Sequence, residues 1–266
     1  MAEVKPDPNQ MGFFEHLEEL RVRLIRSAGL WLVIFVACFL NVKPIFAYLA
    51  EPLKRITKSD HIFGATRFEE PFVANLRAAF WVSLIFSSLI FFYHFWAFVA
   101  PALTKKEKRF AIPFIVFMAL FFITGCLFSF QYVFPHALGY LIQWNMDELS
   151  AFTRSSYLQL LFLFVIGMGI SFELPLILFF LAKVGLVNYR FLLDKFRYAV
   201  LIIFIAAAII TPTPDPFLQT FMAAPILLLY LLGTFLAWTV YKKDEEETTE
   251  DPSSGDSSDD SHSVSA

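Results

Sequence analysis

From residue 110 to residue 146 the chain carries no Asp, Glu, Lys or Arg, and further charge-free stretches occupy 27–42, 78–104, 155–172, 198–214 and 216–241. A helix that crosses about 30 Å of hydrocarbon needs roughly 20 apolar residues. The first stretch extends at either end because Arg26 and Lys43 can snorkel, and the fourth continues past Glu173 to residue 182. The stretch 110–146 is too long for one crossing. Its Tyr132–Pro135 region is read as an exit, followed by a partly apolar extramembrane segment up to Arg154. The expectation is an all-α integral membrane protein with six transmembrane helices. An even count puts both termini on one side.

Composition excludes the soluble alternative. Of 266 residues 58% are hydrophobic, 34 are phenylalanine and only 17% are charged, more apolar surface than one water-dispersed core can hide. Taking the N-terminus as inside, the inner segments hold fourteen of the 21 Lys and Arg, and six of the other seven lie between Lys43 and Arg77 in a long outer loop. That bias favours both ends in the cytoplasm. The first twenty residues contain no apolar core of a signal peptide, so none that is cleaved is expected. The net charge of −3 hides a basic body, because residues 244–266 hold nine acids and no Lys or Arg; the remainder has 21 basic against 15 acidic residues. Cys38 and Cys126 lie in apolar runs, lack metal-ligand spacing and read as small buried hydrophobes.

Three regions follow: 1–26 as a cytoplasmic segment with an amphipathic interfacial helix, 27–241 as the membrane domain, and 242–266 as a disordered acidic cytoplasmic tail. The fifth run is short. About 13 apolar residues, Tyr198 to Ile210, precede the prolines of Thr211-Pro-Thr-Pro-Asp-Pro216, giving roughly 20 Å at 1.5 Å per residue. The fifth and sixth spans, which meet at that hairpin, are both read as short.

Four places could carry chemistry. In Phe13-Phe-Glu-His-Leu-Glu-Glu-Leu-Arg-Val-Arg-Leu24, Phe13, Leu17, Leu20 and Leu24 form one apolar stripe, and Glu15, Glu19, Arg23 and Arg26 share the opposite face. Spacing alone favours the plainer reading, a salt-bridged polar face with Glu19 and Arg23 as an i,i+4 pair. Glu107 stands among four cations in Thr104-Lys-Lys-Glu-Lys-Arg109, where spacing alone favours an ordinary positive-inside turn over an acid presented to a cationic ligand. Glu173 interrupts an apolar run in Ile170-Ser-Phe-Glu-Leu-Pro175; a mid-membrane charge costs about 2.5–3.5 kcal/mol, which points to a functional role. Pro175 adds an expected kink. Asp215 in the hairpin reads either as a turn cap or as functional. No phosphate loop, H-E-x-x-H or G-x-S-x-G occurs and the five histidines are scattered. No enzyme, cofactor, metal or nucleic-acid partner is expected.

Glu15-His-Leu-Glu-Glu-Leu-Arg21, Tyr93-His-Phe-Trp-Ala-Phe98 with Ala100-Pro-Ala-Leu103, Ser171-Phe-Glu-Leu-Pro175 and Thr211-Pro-Thr-Pro-Asp-Pro-Phe217 stand in the order and spacing of the TatC family. The resemblance covers about residues 13–240 and is to the receptor of the twin-arginine translocase. It implies a concave, cupped bundle in the cytoplasmic (inner) membrane that works with the single-span partners TatA and TatB as a homo-oligomer within the complex. It also implies export of folded proteins by the proton-motive force. By the same resemblance Glu19 and Glu107 are the signal-peptide carboxylates, with Arg21, Phe98 and Pro52 at the signal-binding positions. Glu173, Asp215 and Gln219 fall on positions tied to the intramembrane step.

The chain departs from the family pattern at Leu89, where many relatives have proline, at His94 in place of glutamine, and at Phe130 in place of tyrosine. The competing reading is a six-span secondary transporter or channel with Glu173 as coupling carboxylate, which predicts inverted repeats with paired broken helices. A ligand-free membrane scaffold is the third, and it leaves Glu19, Glu107 and Glu173 without a role.

Overall fold

The computed structural model describes residues 13–57, 63, 68–99, 111–144, 153–211 and 215–249; the side chains of 13–17, 19–20, 98–99, 111–112, 144 and 241–249 are not among those described. Every regular element there is helical. In chain order they are α1 (Phe13–Leu40), α2 (Val42–Leu49), α3 (Glu51–Thr57), α4 (Glu70–Phe86), α5 (Ser88–Val99), α6 (Ala111–Phe128), a π-helical turn (Ser129–Val133), α7 (Phe134–Trp144), α8 (Arg154–Phe172), α9 (Leu174–Lys183), α10 (Tyr189–Asp194), α11 (Phe196–Ile210) and α12 (Pro216–Thr249).

Among the described residues, four helical segments are long and apolar enough to cross a membrane: Arg21–Leu40, Pro113–Gln143, Arg154–Lys183 and Pro216–Val240. A fifth arises if α4 and α5, bent by 51° at Ser87, count as one span. α11 is shorter, at 15 residues, or about 22 Å of rise, as expected of the fifth run. The expected short sixth span is corrected. Pro216–Val240 is a 25-residue apolar helix, because Pro225 sits inside it without ending it. α1 runs unbroken from Phe13 into the first crossing. Residues 1–12 and 250–266 lie outside the described residues, as do the hairpin prolines Pro212 and Pro214.

The region read as an exit, Tyr132–Pro135, does not end its helix, which continues to Trp144. Proline at 135 cannot donate to the carbonyl four residues back and its ring crowds that carbonyl. The π turn answers this locally: its wider ring lets Phe134 N donate to Ser129 O, five residues back. The bend at Ser87 needs no proline. Ser87 N donates to Ser83 O (2.9 Å) and Phe91 N to Ser87 O (3.0 Å), so both helices keep a shared residue across the turn.

α8 is the central helix. Tyr157, Leu158, Leu161, Phe164 and Met168 along it are fully buried, and it packs on α4 and α6. α1 packs on α4 and α5, and α12 on α9 and α11. Outward faces stay apolar: Leu32, Val33 and Leu40 of α1 and Ile202, Ile205 and Ile209 of α11 are all more than half exposed. Helices apolar on both their buried and exposed sides belong in lipid. Trp31 Nε1 donates to Ser83 Oγ at 3.0 Å and ties α1 to α4.

At the end of the bundle where α2 and α3 lie, polar contacts cap the helices. Tyr157 OH donates to Leu49 O (2.6 Å). Arg77 Nη1 donates to Ser155 O (3.1 Å) and Ser155 N to Glu70 Oε1 (3.4 Å). The Arg154 guanidinium lies over the rings of Phe46 (5.1 Å) and Phe63 (5.9 Å).

Candidate functional site

The residues singled out from the sequence fall in several separate places. The first is the end of the bundle where α1 begins and α5 finishes. These helices pack together, and a cleft of about 410 Å³ between them is lined by Arg23 and Ser27 of α1 and by Phe91, His94 and Phe95 of α5. Glu19 is one helical turn before Arg23, and Phe98 one turn beyond His94. At 3.6 residues per turn both helices therefore continue from that cleft towards the same end of the bundle. Arg21 is exposed there. Glu107 lies outside the described residues. His94 Nδ1 is 2.9 Å from Ile90 O, a bond along its own helix.

Pro52 does not join this group. It is buried in α3, and the rise of α1 from Glu19 to Leu40 separates the two by roughly 30 Å. Instead Pro52 lines a cavity of about 470 Å³ with Tyr48, Glu51, Arg55, Phe130 and Gln131. The Phe130 ring stacks on Tyr48 at 5.1 Å and forms one wall of that cavity. Glu51 and Arg55 pair along the surface of α3 at 3.1 Å, a contact worth little in water.

The second place surrounds Glu173, the residue between α8 and α9. Its N–H donates to Ile170 O (3.1 Å) and its carbonyl accepts from Ile177 N (2.9 Å). The helix thus tightens for one turn and resumes, and Pro175 falls in the first turn of α9, where its missing N–H costs least. The residue is 5% exposed, and neither carboxylate oxygen has a hydrogen-bond partner among the described residues. Buried carboxyl groups nearly always have partners, so an orphaned one marks stored cost or a functional requirement.

Asp215 and Gln219 have structural work. Asp215 Oδ1 accepts from Phe217 N at 2.8 Å and Asp215 O from Gln219 N at 3.0 Å, which caps the start of α12. Gln219 Nε2 donates to Phe204 O at 2.9 Å, binding α12 to the short α11.

The sequence reading passed over the glycines. A Cβ at Gly125 would meet Phe172 Cγ at 2.7 Å, one at Gly169 would meet Cys126 Sγ at 2.7 Å, and one at Gly233 would meet Leu178 Cδ1 at 2.8 Å. Isolated glycines within apolar helices are the signal that marks such close approaches.

The family model for the Sec-independent protein translocase protein (TatC) matches residues 15–225. The chain belongs to the TatC family. Among curated relatives, the Sec-independent protein translocase protein TatC of Koribacter versatilis is 35% identical over 248 residues, covering 90% of each chain. The protein of that name from Helicobacter pylori strain 26695 is 39% identical over 223 residues, covering 84% of this chain and 85% of the relative. The fold agrees. A crystal structure of the twin arginine translocase receptor TatC superposes with a TM-score of 0.74 at 33% identity, over 85% of this chain and all of that one. The TatC-family helices here thus carry an end where α1 and α5 meet and, apart from it, an unpartnered carboxyl.

Proposed function

We propose that this chain is the receptor for twin-arginine signal peptides and the core subunit of a translocase that exports folded proteins using the proton-motive force. The observation that carries the reading is the packing of α1 on α5 with Arg23 and His94 lining one cleft between them, which supports a peptide site at that end of the bundle. A twin-arginine motif needs fixed acceptors, and one carboxylate can take one guanidinium through two parallel hydrogen bonds. Glu19 and Glu107 are assigned that role, with Arg21 and Phe98 beside them. Pro52 acts at a distance, through the α3 end of the bundle.

In this reading α11 completes a six-span topology in the inner membrane, with both termini in the cytoplasm. The exposed faces of α11 and α12 are the docking surface for single-span TatA- and TatB-like partners, and several copies of the chain join in the complex. Glu173 acts after recognition, in insertion or transfer. A secondary transporter of two inverted three-helix halves would pair the bent α4–α5 span with α11, which is an unbroken helix. That mismatch favours the translocase.

The deciding experiment is a site-specific crosslink from residue 19 or 107 to a twin-arginine peptide, competed with its twin-lysine counterpart. Strong competition by arginine and weak competition by lysine is expected, since lysine keeps the charge and loses the planar fork. Absence of any crosslink at either residue would remove the receptor assignment.

A further inference from the structure

The 51° bend at Ser87 sends the two halves of one span in different directions. After the bend α5 packs on α6; before it α4 packs on α1 and α8, and no comparable packing joins α4 to α6. The wedge left between them is a cavity of about 430 Å³, in the size range of small-molecule sites. Leu161, Phe162 and Val165 of α8 line it, with Ile85 of α4 and with Ile123 and Leu127 of α6. The three α8 residues are buried, whereas Phe86 and Leu127 at the rim are 69% and 47% exposed, so the cavity opens sideways from a deep floor. Every lining side chain except Tyr48 and Cys126 is pure hydrocarbon. Water finds no partners in such a place, and within a bilayer an acyl chain is what fills it.

The cavity of about 470 Å³ beside α3 adjoins this one and differs from it in chemistry. Tyr48 and Phe130 line both, and their stacked rings stand at the border. Past that pair the lining turns polar, with Glu51 and Arg55 of α3 and with Gln131 and Tyr132. Among the described residues, the charged side chains there are thus one cation and one anion. They hold each other at 3.1 Å, with the arginine side chain 76% and the glutamate side chain 45% exposed. An exposed pair of this kind is worth little, so a ligand that offers a new partner to each separates it at small cost. Aromatic side chains between an apolar and a charged compartment mark the level where a bilayer passes from chain to headgroup.

We propose that the two cavities form one site for a phospholipid with a primary ammonium headgroup, of the phosphatidylethanolamine type. One acyl chain lies between α4 and α6, the glycerol region crosses the Tyr48–Phe130 pair, and the headgroup occupies the polar cavity. There the phosphate takes the Arg55 guanidinium through two parallel hydrogen bonds, and the ammonium donates to the Glu51 carboxylate. The charges select the headgroup. One cation beside one anion matches a zwitterion, an anionic lipid leaves Glu51 without a partner, and a quaternary ammonium has no N–H to give. The site goes beyond the receptor reading and does not rest on it, since it needs only that the bundle lie in a bilayer.

Photocrosslinking of the full-length chain tests this. Phosphatidylcholine nanodiscs carry a trace of phosphatidylethanolamine with a diazirine in one acyl chain, and mass spectrometry maps the adducts. Adducts at Ile123 and Leu127 are expected in excess of those at Ile205, an exposed residue of α11 that reports ordinary bilayer lipid. Unlabelled phosphatidylethanolamine should compete for them severalfold better than phosphatidylglycerol at the same mole fraction. Arg55→Gln should lower their yield about fivefold, the factor for one basic contact at a membrane surface. Glu51→Gln should abolish the preference for ethanolamine over choline. Leu127→Trp, which fills the apolar cavity from its exposed rim, should lower the yield at Ile123. Adducts at Ile205 should stay constant in all three variants, which shows that the bundle is intact. Cavity adducts no more frequent than those at Ile205, or indifferent to headgroup, overturn the site, as does an unaltered yield in Arg55→Gln. Soluble phosphoethanolamine competing as well as the lipid would assign the polar cavity to a free phosphate ester. Displacement by an apolar single-span helix, whatever the headgroup, would assign the apolar cavity to a helix. Either result overturns the lipid.

Discussion

Tyr157, fully buried near the start of α8, donates its hydroxyl hydrogen to the carbonyl oxygen of Leu49, 108 residues earlier and 2.6 Å away. This bond fastens the α2 end of the first crossing to the central helix of the bundle. Tyr157→Phe keeps the ring and strands the Leu49 carbonyl. A loss of about 1–3 kcal/mol is expected, lowering the thermal midpoint in detergent by roughly 2–4 °C per kcal/mol.

Glu19→Ala and Glu107→Ala should each weaken twin-arginine peptide binding and leave the thermal midpoint unchanged. Hydrogen bonds between charged partners are worth about 1.5–3 kcal/mol, or roughly 10- to 100-fold in Kd. Titration of a labelled peptide against the purified variants measures this. Unaltered Kd in both would withdraw the two carboxylates from the site.

For Glu173 the expected effects on stability and transport have opposite signs. Glu173→Leu removes a carboxyl that has no partner, so the fold should gain about 1–3 kcal/mol. Peptide crosslinking at residue 19 should persist while export of a folded precursor falls. A variant that exports at the normal rate would leave the carboxyl without a task.

Gln219→Leu breaks the bond from α12 to Phe204 O. Loss of about 1 kcal/mol is expected, with faster amide hydrogen exchange in α11 and little change in α8. Equal protection across α11 in both proteins would show that apolar packing alone holds that helix.

Leu89→Pro should be tolerated. Leu89 is the second residue of α5, directly after the bend at Ser87, and proline is accommodated in a first helical turn. The thermal midpoint should stay within the range of a change of about 0.5 kcal/mol. A collapse in folded yield would mean that the bend depends on the Leu89 side chain or N–H.

Hydropathy made the long helices legible because lipid demands unbroken apolar runs, and the placement of Glu173 stood out for the same reason. The bend at Ser87 was hidden, since no proline marks it and the Ser87-Ser88 pair inside an apolar run is a weak break signal. Pro135 misled in the opposite direction, because a π turn absorbed a residue that usually marks an end. At the hairpin, Asp215 proved to cap α12, which spacing had left open. That Arg23 and His94 line one cleft needed the antiparallel partnering of α1 and α5, which no single-chain periodicity encodes. Pro52 shows the converse, since nothing in its local sequence reveals that about 30 Å of helix lies between it and Glu19.

α11 rises only about 22 Å beside a neighbour whose apolar stretch, at 25 residues, rises about 37 Å. Lipids that border such a step are compressed on one side and relaxed on the other, and that elastic deformation is relieved when a second helix of similar reach settles against α11. A companion subunit can therefore be selected by length before any side chain is read, and a truncated span elsewhere in the assembly would find this edge of the bundle by the tension of the bilayer itself.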